Sequence, residues 1–166
     1  FTRQVDGQKF SLTLSFPLKS RTQINPLIAF IMKQRSRKET FTITLPEYIG
    51  SAKGTVAGSP TGTASAGATS ITLGGTRSGS LLAGDLIKFA SHNKIYMVVT
   101  DNSDISSGTL TIEPPLKETI SGSAITFDSV PITVRLTNDM QEFASNSNNK
   151  DGELLFNYEL DVVEAI

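Results

Sequence analysis

The sequence K-F-S-L-T-L-S-F-P at Lys9–Pro17 is followed by a helical pattern and then by E-T-F-T-I-T-L-P at Glu39–Pro46. In the first stretch, large apolar residues alternate with hydroxyl residues, which is typical of a strand with one buried face. These apolar residues are Phe10, Leu12, Leu14 and Phe16. The second stretch repeats the same period with Phe41, Ile43 and Leu45. We therefore predict a strand on each side of the helical segment.

The segment between these strands carries apolar residues at the spacing of one helix face. Ile24, Leu27, Ile28 and Ile31 lie at positions i, i+3, i+4 and i+7. We predict a helix at about residues 21–34 that covers the apolar face of the strands. S-R-T-Q at Ser20–Gln23 has the spacing of a capping box, and Asn25-Pro26 is a second possible start because proline suits the first helical position.

Charge and composition exclude several classes of function. The 166 residues contain 15 Lys and Arg against 16 Asp and Glu, so the net charge of −1 predicts no nucleic-acid contact. Cysteine is absent, which excludes thiol catalysis, disulfides and thiolate metal sites. No apolar run approaches the roughly 18–20 residues that span a bilayer, so we predict no membrane insertion. The first residue is Phe1, and we expect the translated chain to begin earlier.

Basic residues gather at the predicted end of the helix, at Lys33, Arg35, Arg37 and Lys38. Cations are favourable at a helix C-terminus, and a nucleic-acid patch is the alternative interpretation. The neutral net charge and the lack of interleaved aromatic residues favour a solvated helix end.

The remaining chain predicts a discontinuous core. Residues 51–80 are rich in Gly, Ala, Ser and Thr, so we expect an exposed connection that carries one short strand at Ser70–Leu73. Short apolar segments separated by turn residues follow in 81–129, which predicts a small inserted β lobe. Alternation then returns toward the C-terminus, so residues 1–50 and 130–166 are predicted to form one β core domain.

The predicted fold class is mainly β (α+β), with a sandwich-like or barrel-like core, one packed helix and an inserted small β-barrel lobe. One set of apolar side chains is predicted to share the core of the discontinuous domain. They are Phe10, Leu12, Leu14, Phe16, Ile28, Ile31, Phe41, Ile43, Phe156, Tyr158 and Leu160.

The same stretches resemble a family of small bacteriophage tail proteins. The resemblance begins with F-S-L-T-L-S-F-P, P-L-I-A-F-I-M-K-Q-R and E-T-F-T-I-T-L-P. It continues in order with L-L-A-G-D-L-I-K-F-A-S-H-N-K-I-Y-M-V at Leu81–Val98 and T-L-T-I-E-P-P-L at Thr109–Leu116. V-P-I-T-V-R-L at Val130–Leu136 and Y-E-L-D-V-V-E-A-I at Tyr158–Ile166 complete it.

The resemblance implies a non-enzymatic virion structural protein near the distal end or baseplate of the tail, assembled in the host cytoplasm. It also implies a homo-oligomeric ring that contacts other tail proteins. The family pattern consists of packing and turn residues, so it carries no catalytic, cofactor-binding or metal site to this chain. We keep two alternatives, a module that binds a host-surface glycan or protein, and a cell-wall-degrading enzyme.

Few residues could carry chemistry. His92 is the only histidine, and we expect it to be a bystander in an exposed hairpin loop. Asp101 and Asp104 suggest calcium ligands, but the spacing lacks further carboxylates and favours a solvated turn. Glu113 and Glu142 could form a glycosidase pair, although the absence of Trp argues against a sugar-stacking cleft.

Overall fold

A computed structural model describes residues 8–106, 108–138, 144–148 and 154–166 of the chain. The fold is mainly β, with one well-developed helix and a closed six-stranded barrel, which confirms the predicted fold class. In chain order the elements are β1 Ser11–Ser20, α1 Arg21–Lys33, β2 Phe41–Thr44, α2 Glu47–Gly50, β3 Ala57–Ala64, β4 Ser70–Ser78, β5 Leu86–Phe89, β6 Ile95–Val98, β7 Thr109–Glu113, β8 Ile120–Thr126, β9 Pro131–Leu136, β10 Ala144–Asn148 and β11 Leu154–Glu164.

The chain forms two compact units. The barrel unit contains Thr42–Thr133, and the sheet-helix unit contains Lys9–Phe41 together with Val134–Ala165. The predicted boundaries near 50 and 130 lie inside the barrel unit. That the sheet-helix unit folds without the barrel remains a prediction, which is tested below.

The sheet-helix unit is built on the long antiparallel pair of β1 and β11. Their register runs from Ser11 opposite Val163 to Ser20 opposite Leu155, with an irregularity between Phe16 and Lys19. The strand order of the sheet is β1-β11-β9-β2, and β10 also pairs with β11. Among the described strands, β1 therefore lies at one edge of this sheet.

Helix α1 begins at the first of the two starts left open by the sequence. The Ser20 backbone N–H donates to Oε1 of Gln23 at 3.3 Å, so the glutamine half of the capping box is present. Pro26 lies inside the helix rather than at its start. The helix buries Ile24 and Ile31, which are 2% and 1% exposed.

The eleven residues predicted to share one core are buried to different degrees. Ile31, Tyr158 and Leu160 are buried. The other eight are half-buried; they are Phe10, Leu12, Leu14, Phe16, Ile28, Phe41, Ile43 and Phe156. Ile43 falls in the barrel unit, and the other ten fall in the sheet-helix unit. That these residues act as one core remains a prediction.

The barrel closes in the strand order β3-β4-β7-β6-β5-β8, with β3 pairing with β8. Residues 51–80 were expected to form an exposed connection. The structure instead places β3 and β4 in that segment, where they form two of the six strands of the barrel. Backbone hydrogen bonds hold these strands, with Thr61 opposite Gly74 and Thr63 opposite Thr72. These strands need few large apolar side chains of their own, because the neighbouring strands supply most of the core.

Gly62 on β3 shows why small residues suit this segment. A Cβ atom at this position would lie 2.7 Å from Cε1 of Phe89 and 2.9 Å from Cγ2 of Ile71, closer than side chains pack. Because Gly62 has no side chain, the space beside it in the barrel interior is available to Phe89, which is fully buried. The Gly-rich composition is part of the packing of the barrel.

Side chains fill the barrel interior, as expected for a barrel of this size. Phe89 and Tyr96 meet edge to face, with their ring centroids 5.5 Å apart. The buried cluster consists of Ile71, Leu73, Leu81, Ile87, Phe89, Tyr96, Val98, Ile105, Leu110, Ile112, Leu116, Ile120 and Ile125.

The two ends of the barrel segment lie side by side. The Val130 N–H donates to the Gly50 carbonyl at 2.9 Å, and the Ala52 N–H donates to the Phe127 carbonyl at 2.8 Å. The Ser129 N–H also donates to Oγ of Ser51 at 3.1 Å. The chain therefore enters and leaves the barrel through one hydrogen-bonded junction.

Candidate functional site

His92 lies in the loop between β5 and β6 and is bonded on both sides of its ring. Nε2 lies 2.7 Å from the Tyr96 hydroxyl, and Nδ1 lies 3.0 Å from Oγ of Ser91. The ring also stacks on Phe89, with the ring centroids 6.1 Å apart. The loop position agrees with the sequence analysis, but the expected exposed bystander is a half-buried, hydrogen-bonded residue.

The Tyr96 hydroxyl links His92 to the segment that follows β7. This hydroxyl accepts the Lys117 N–H at 3.0 Å, and Tyr96 itself is fully buried. A neutral imidazole with its proton on Nδ1 fits both ring contacts, because Tyr96 can then donate to Nε2 while Nδ1 donates to Ser91. The hydrogen bonds of His92 and Tyr96 therefore connect the β5–β6 loop to the segment that follows β7.

The surroundings of His92 favour its neutral form. Burial lowers the pKa of the imidazole, the Glu118 carboxylate opposes this effect, and the lysines at 117, 88 and 94 lower the pKa further. A catalytic triad would place a carboxylate where His92 meets the Tyr96 hydroxyl. The arrangement therefore fits a structural link better than a base for nucleophilic catalysis.

We expect the stability of the barrel to fall as the pH decreases through the ordinary histidine range. The folded-state pKa of His92 lies below the ordinary value of 6.5, so the unfolded chain binds more protons. The stability that neutral His92 contributes to the barrel is complete above the ordinary pKa and is lost as the pH falls through the lower folded-state pKa. Urea denaturation at pH 7.5 and pH 5.5 should show a smaller decrease for His92→Gln than for the parent. Equal decreases for the two proteins would contradict this assignment.

The candidate calcium loop uses its carboxylates to hold the backbone. Oδ1 of Asp101 accepts the Ala83 N–H at 2.8 Å, and Oδ1 of Asp104 accepts the Ser106 N–H at 2.9 Å. Hydrogen bonds from the side chain and backbone of Ser106 lower the pKa of Asp104. Within the described ranges, no group of three or more His, Asp or Glu residues could hold a metal ion.

The candidate glycosidase pair has no described geometry. Glu113 is exposed at the end of β7, and Glu142 lies outside the described residues. In the part of the chain that the structure describes, no helix has the length and apolar character needed to cross a bilayer.

The C-terminal end of α1 borders an open groove with a volume of about 610 Å³. Phe30 and Phe41 meet edge to face inside the sheet-helix unit, with their ring centroids 5.2 Å apart. Phe30 is nevertheless 40% exposed, and Met32 is 64% exposed. The groove therefore has an apolar floor that remains open to solvent.

A tight turn after α1 places cations along this groove. Arg35 and Ser36 have positive φ angles of 52° and 61°, and the Glu39 N–H donates to the Gln34 carbonyl at 3.1 Å. Lys33 and Arg35 line the groove. This arrangement agrees with the expected exposed basic helix end, and the sequence analysis missed the groove beside it.

The fold defines a class of protein in which a small β-barrel, filled with side chains, lies between two segments of another unit in the chain. The family model of the distal tail protein pb9, B domain, matches residues 50–130. These limits coincide with Gly50 and Val130, the hydrogen-bonded ends of the barrel segment. Residues 50–130 are therefore similar to a phage distal tail domain, and the predicted resemblance to phage tail proteins is confirmed. No curated protein matches the sequence.

The matched domain supports a structural role in a phage tail, as a component of the virion. The family carries its name from one distal tail protein. The matched range lies inside the barrel unit and includes no residue of the sheet-helix unit.

Proposed function

We propose that the protein is a non-enzymatic structural component of the distal tail, near the baseplate, that assembles with copies of itself into a closed ring. The observation that carries this proposal is the match of residues 50–130 to a distal tail domain, over the same limits at which the barrel begins and ends. Assembly takes place in the host cytoplasm, and the ring contacts other tail proteins without contacting nucleic acid or inserting into a membrane.

The division of labour between the two units follows from their surfaces. The barrel is packed with side chains and begins and ends at one junction, which suits a domain carried on another unit. The sheet-helix unit has an edge strand, half-buried apolar side chains and an open apolar groove. Surfaces of this kind suit contacts between subunits. We therefore assign ring formation to the sheet-helix unit.

The two alternative functions lack a comparable observation. A glycan-binding barrel would use an exposed aromatic platform, whereas Phe89 and Tyr96 are buried and Phe127 is half-buried. A wall-degrading enzyme would need a pair of carboxylates. Of the candidate pair Glu113 and Glu142, only Glu113 lies among the described residues.

Deletion of the barrel tests this proposal. Removing Ser51–Ser129 and joining Gly50 to Val130 through a short Gly-rich linker should leave the sheet-helix unit folded, because the two residues to be joined already share a 2.9 Å hydrogen bond. Electron microscopy and sedimentation should show closed rings for both the full chain and the deletion variant. The deletion variant should also enter tails in a phage that lacks the full-length protein.

The separate barrel segment is the matched control. Residues 50–130 alone should fold and remain monomeric, because the proposal assigns no ring contact to them. Rings formed by the barrel alone, or a folded deletion variant that stays monomeric, would contradict the assignment. A full chain that forms no ring under any condition would contradict the proposed function itself.

A further inference from the structure

The sheet-helix unit exposes two surfaces of opposite charge. The first is the basic groove, in which the two cations outnumber the one carboxylate. Its lining residues are Phe30, Met32, Lys33, Gln34, Arg35, Glu39, Thr40 and Phe41. Its apolar floor is open to solvent, although exposing large apolar side chains together is unfavourable for an isolated subunit. Such a surface calls for a partner that brings both apolar contacts and negative charge.

The cations of this region form no ion pair with another residue that the structure describes. Lys33 and Arg35 are exposed, as are Arg37 and Lys38 on the turn that follows. The ion pair of Lys117 with Glu118 belongs to the barrel unit and involves none of these four cations. The four cations are therefore available to an acidic partner.

The second surface is the acidic face, which we define by Thr13, Ser15, Glu159 and Asp161. The Thr13 hydroxyl donates to Oδ1 of Asp161 at 2.6 Å, and the Ser15 hydroxyl donates to Oε1 of Glu159 at 3.4 Å. All four side chains are exposed. The hydroxyls on β1 orient the carboxylates on β11. Arg135 on β9 lies opposite Val163 and therefore on the same face, but among the described residues it forms no ion pair with Glu159 or Asp161.

These surfaces lie on opposite sides of one layered unit. Along β11, Glu159 and Asp161 alternate with the buried residues Tyr158, Leu160 and Val162. Because successive side chains of a strand point to opposite faces, the carboxylates lie on the face away from the buried residues. Helix α1 contacts β1 and β11 and buries Ile24 and Ile31. The groove at its end therefore belongs to the other side of the sheet.

We propose that the basic groove of one copy binds the acidic face of the next copy. Two different surfaces on opposite sides of a subunit produce a head-to-tail contact, which closes into a ring when the rotation between copies divides a full turn. Strand β1, which supplies Thr13 and Ser15 to the acidic face, also carries Leu18, which is 47% exposed and can supply an apolar contact to the groove. This inference rests on the proposed function and identifies the partner surface as a second copy of the chain.

Charge exchange tests the contact on the full-length protein. The groove variant carries Lys33→Glu and Arg35→Glu, and the face variant carries Glu159→Lys and Asp161→Lys. Each should weaken self-association by roughly tenfold or more, because attraction across the contact becomes repulsion. Combining all four substitutions should restore association toward that of the parent. Sedimentation equilibrium at 50 mM and 500 mM NaCl measures the effect, and association of the parent should weaken at high salt.

Matched controls separate this contact from general effects of charge. Lys53→Glu and Glu113→Lys reverse exposed charges on the barrel unit and should leave association unchanged. Met32→Glu places a carboxylate on the exposed floor of the groove and should weaken association without lowering the denaturation midpoint. Circular dichroism and denaturation of each variant verify that the subunit remains folded.

The outcomes distinguish the contact from the ring. A parent protein that remains monomeric would overturn both the proposed ring and this inference. A parent that forms rings unaffected by the groove and face variants would leave the ring standing and overturn the inference, with the groove then assigned to another tail protein. Two weakening variants whose combination fails to restore association would also overturn it, because the two surfaces would not contact each other.

Discussion

Replacing Phe89 by Ala should destabilise the barrel by about 3–5 kcal/mol, the range for removing a buried aromatic side chain. Phe89 is fully buried, contacts Tyr96 edge to face and occupies the space that Gly62 leaves free. The glycine has no side chain with which to fill the resulting void. A cavity should therefore remain, and the cost should lie toward the upper part of the range.

Guanidinium denaturation of the barrel segment, residues 50–130, gives this free energy directly. Val99→Ala is the matched control, because Val99 is 41% exposed and its replacement should change stability by about 0.5 kcal/mol or less. In the full chain, Phe89→Ala should increase hydrogen exchange in the barrel strands. A change as small as that of the control would show that Phe89 does not organise the barrel interior.

Replacing Ile31 by Ala should destabilise the sheet-helix unit by about 2–5 kcal/mol. Ile31 is 1% exposed and belongs to the face of α1 that covers the sheet, so its loss removes apolar contacts and leaves a void. It is also a member of the predicted eleven-residue core. The expected cost therefore tests that core as well as the position of the helix.

The neighbouring Met32 provides the control, because it is 64% exposed and its replacement by Ala should have little effect. Hydrogen exchange should locate the destabilisation of Ile31→Ala in α1, β1 and β11. If Ile31→Ala and Met32→Ala shifted the denaturation midpoint equally, the helix face would be wrongly assigned.

The elements with regular apolar spacing were predictable from sequence. Alternation from Phe10 to Phe16 predicted β1, and the spacing of Ile24 and Ile31 predicted the buried face of α1. Ser20 and Gln23 marked the helix start through a local hydrogen bond. In each case the signal comes from residues close together in the chain.

Strand β3 was not predicted, and only Ser70–Leu73 of β4 was, because the stabilising partners of these strands are distant in sequence. Gly62 carries no apolar signal, and its position is explained by Phe89 and Ile71, which reach it from other strands. Local composition therefore suggested an exposed connection. Conformational entropy argues against order in such a segment only when no other part of the fold supplies the core.

The candidate surfaces depend on features that local patterns do not show. The basic groove requires the contact of Phe30 with Phe41 across a turn at Arg35 and Ser36, where positive φ angles occur without glycine. The bond of His92 to Tyr96 had a weak signal, namely a histidine in a hairpin loop and a tyrosine four residues later in the chain. Neither spacing is specific enough to identify a site.

The adjacency of Gly50 and Val130 also bears on how such a protein can diversify. Because the backbone at the two positions is separated by a single 2.9 Å hydrogen bond, the intervening segment resembles a cassette with matched ends. Recombination between phage genomes could exchange this cassette for another domain with closely spaced termini and leave both flanking strands in register. The same property makes the junction a suitable place to insert a reporter protein into an assembled tail.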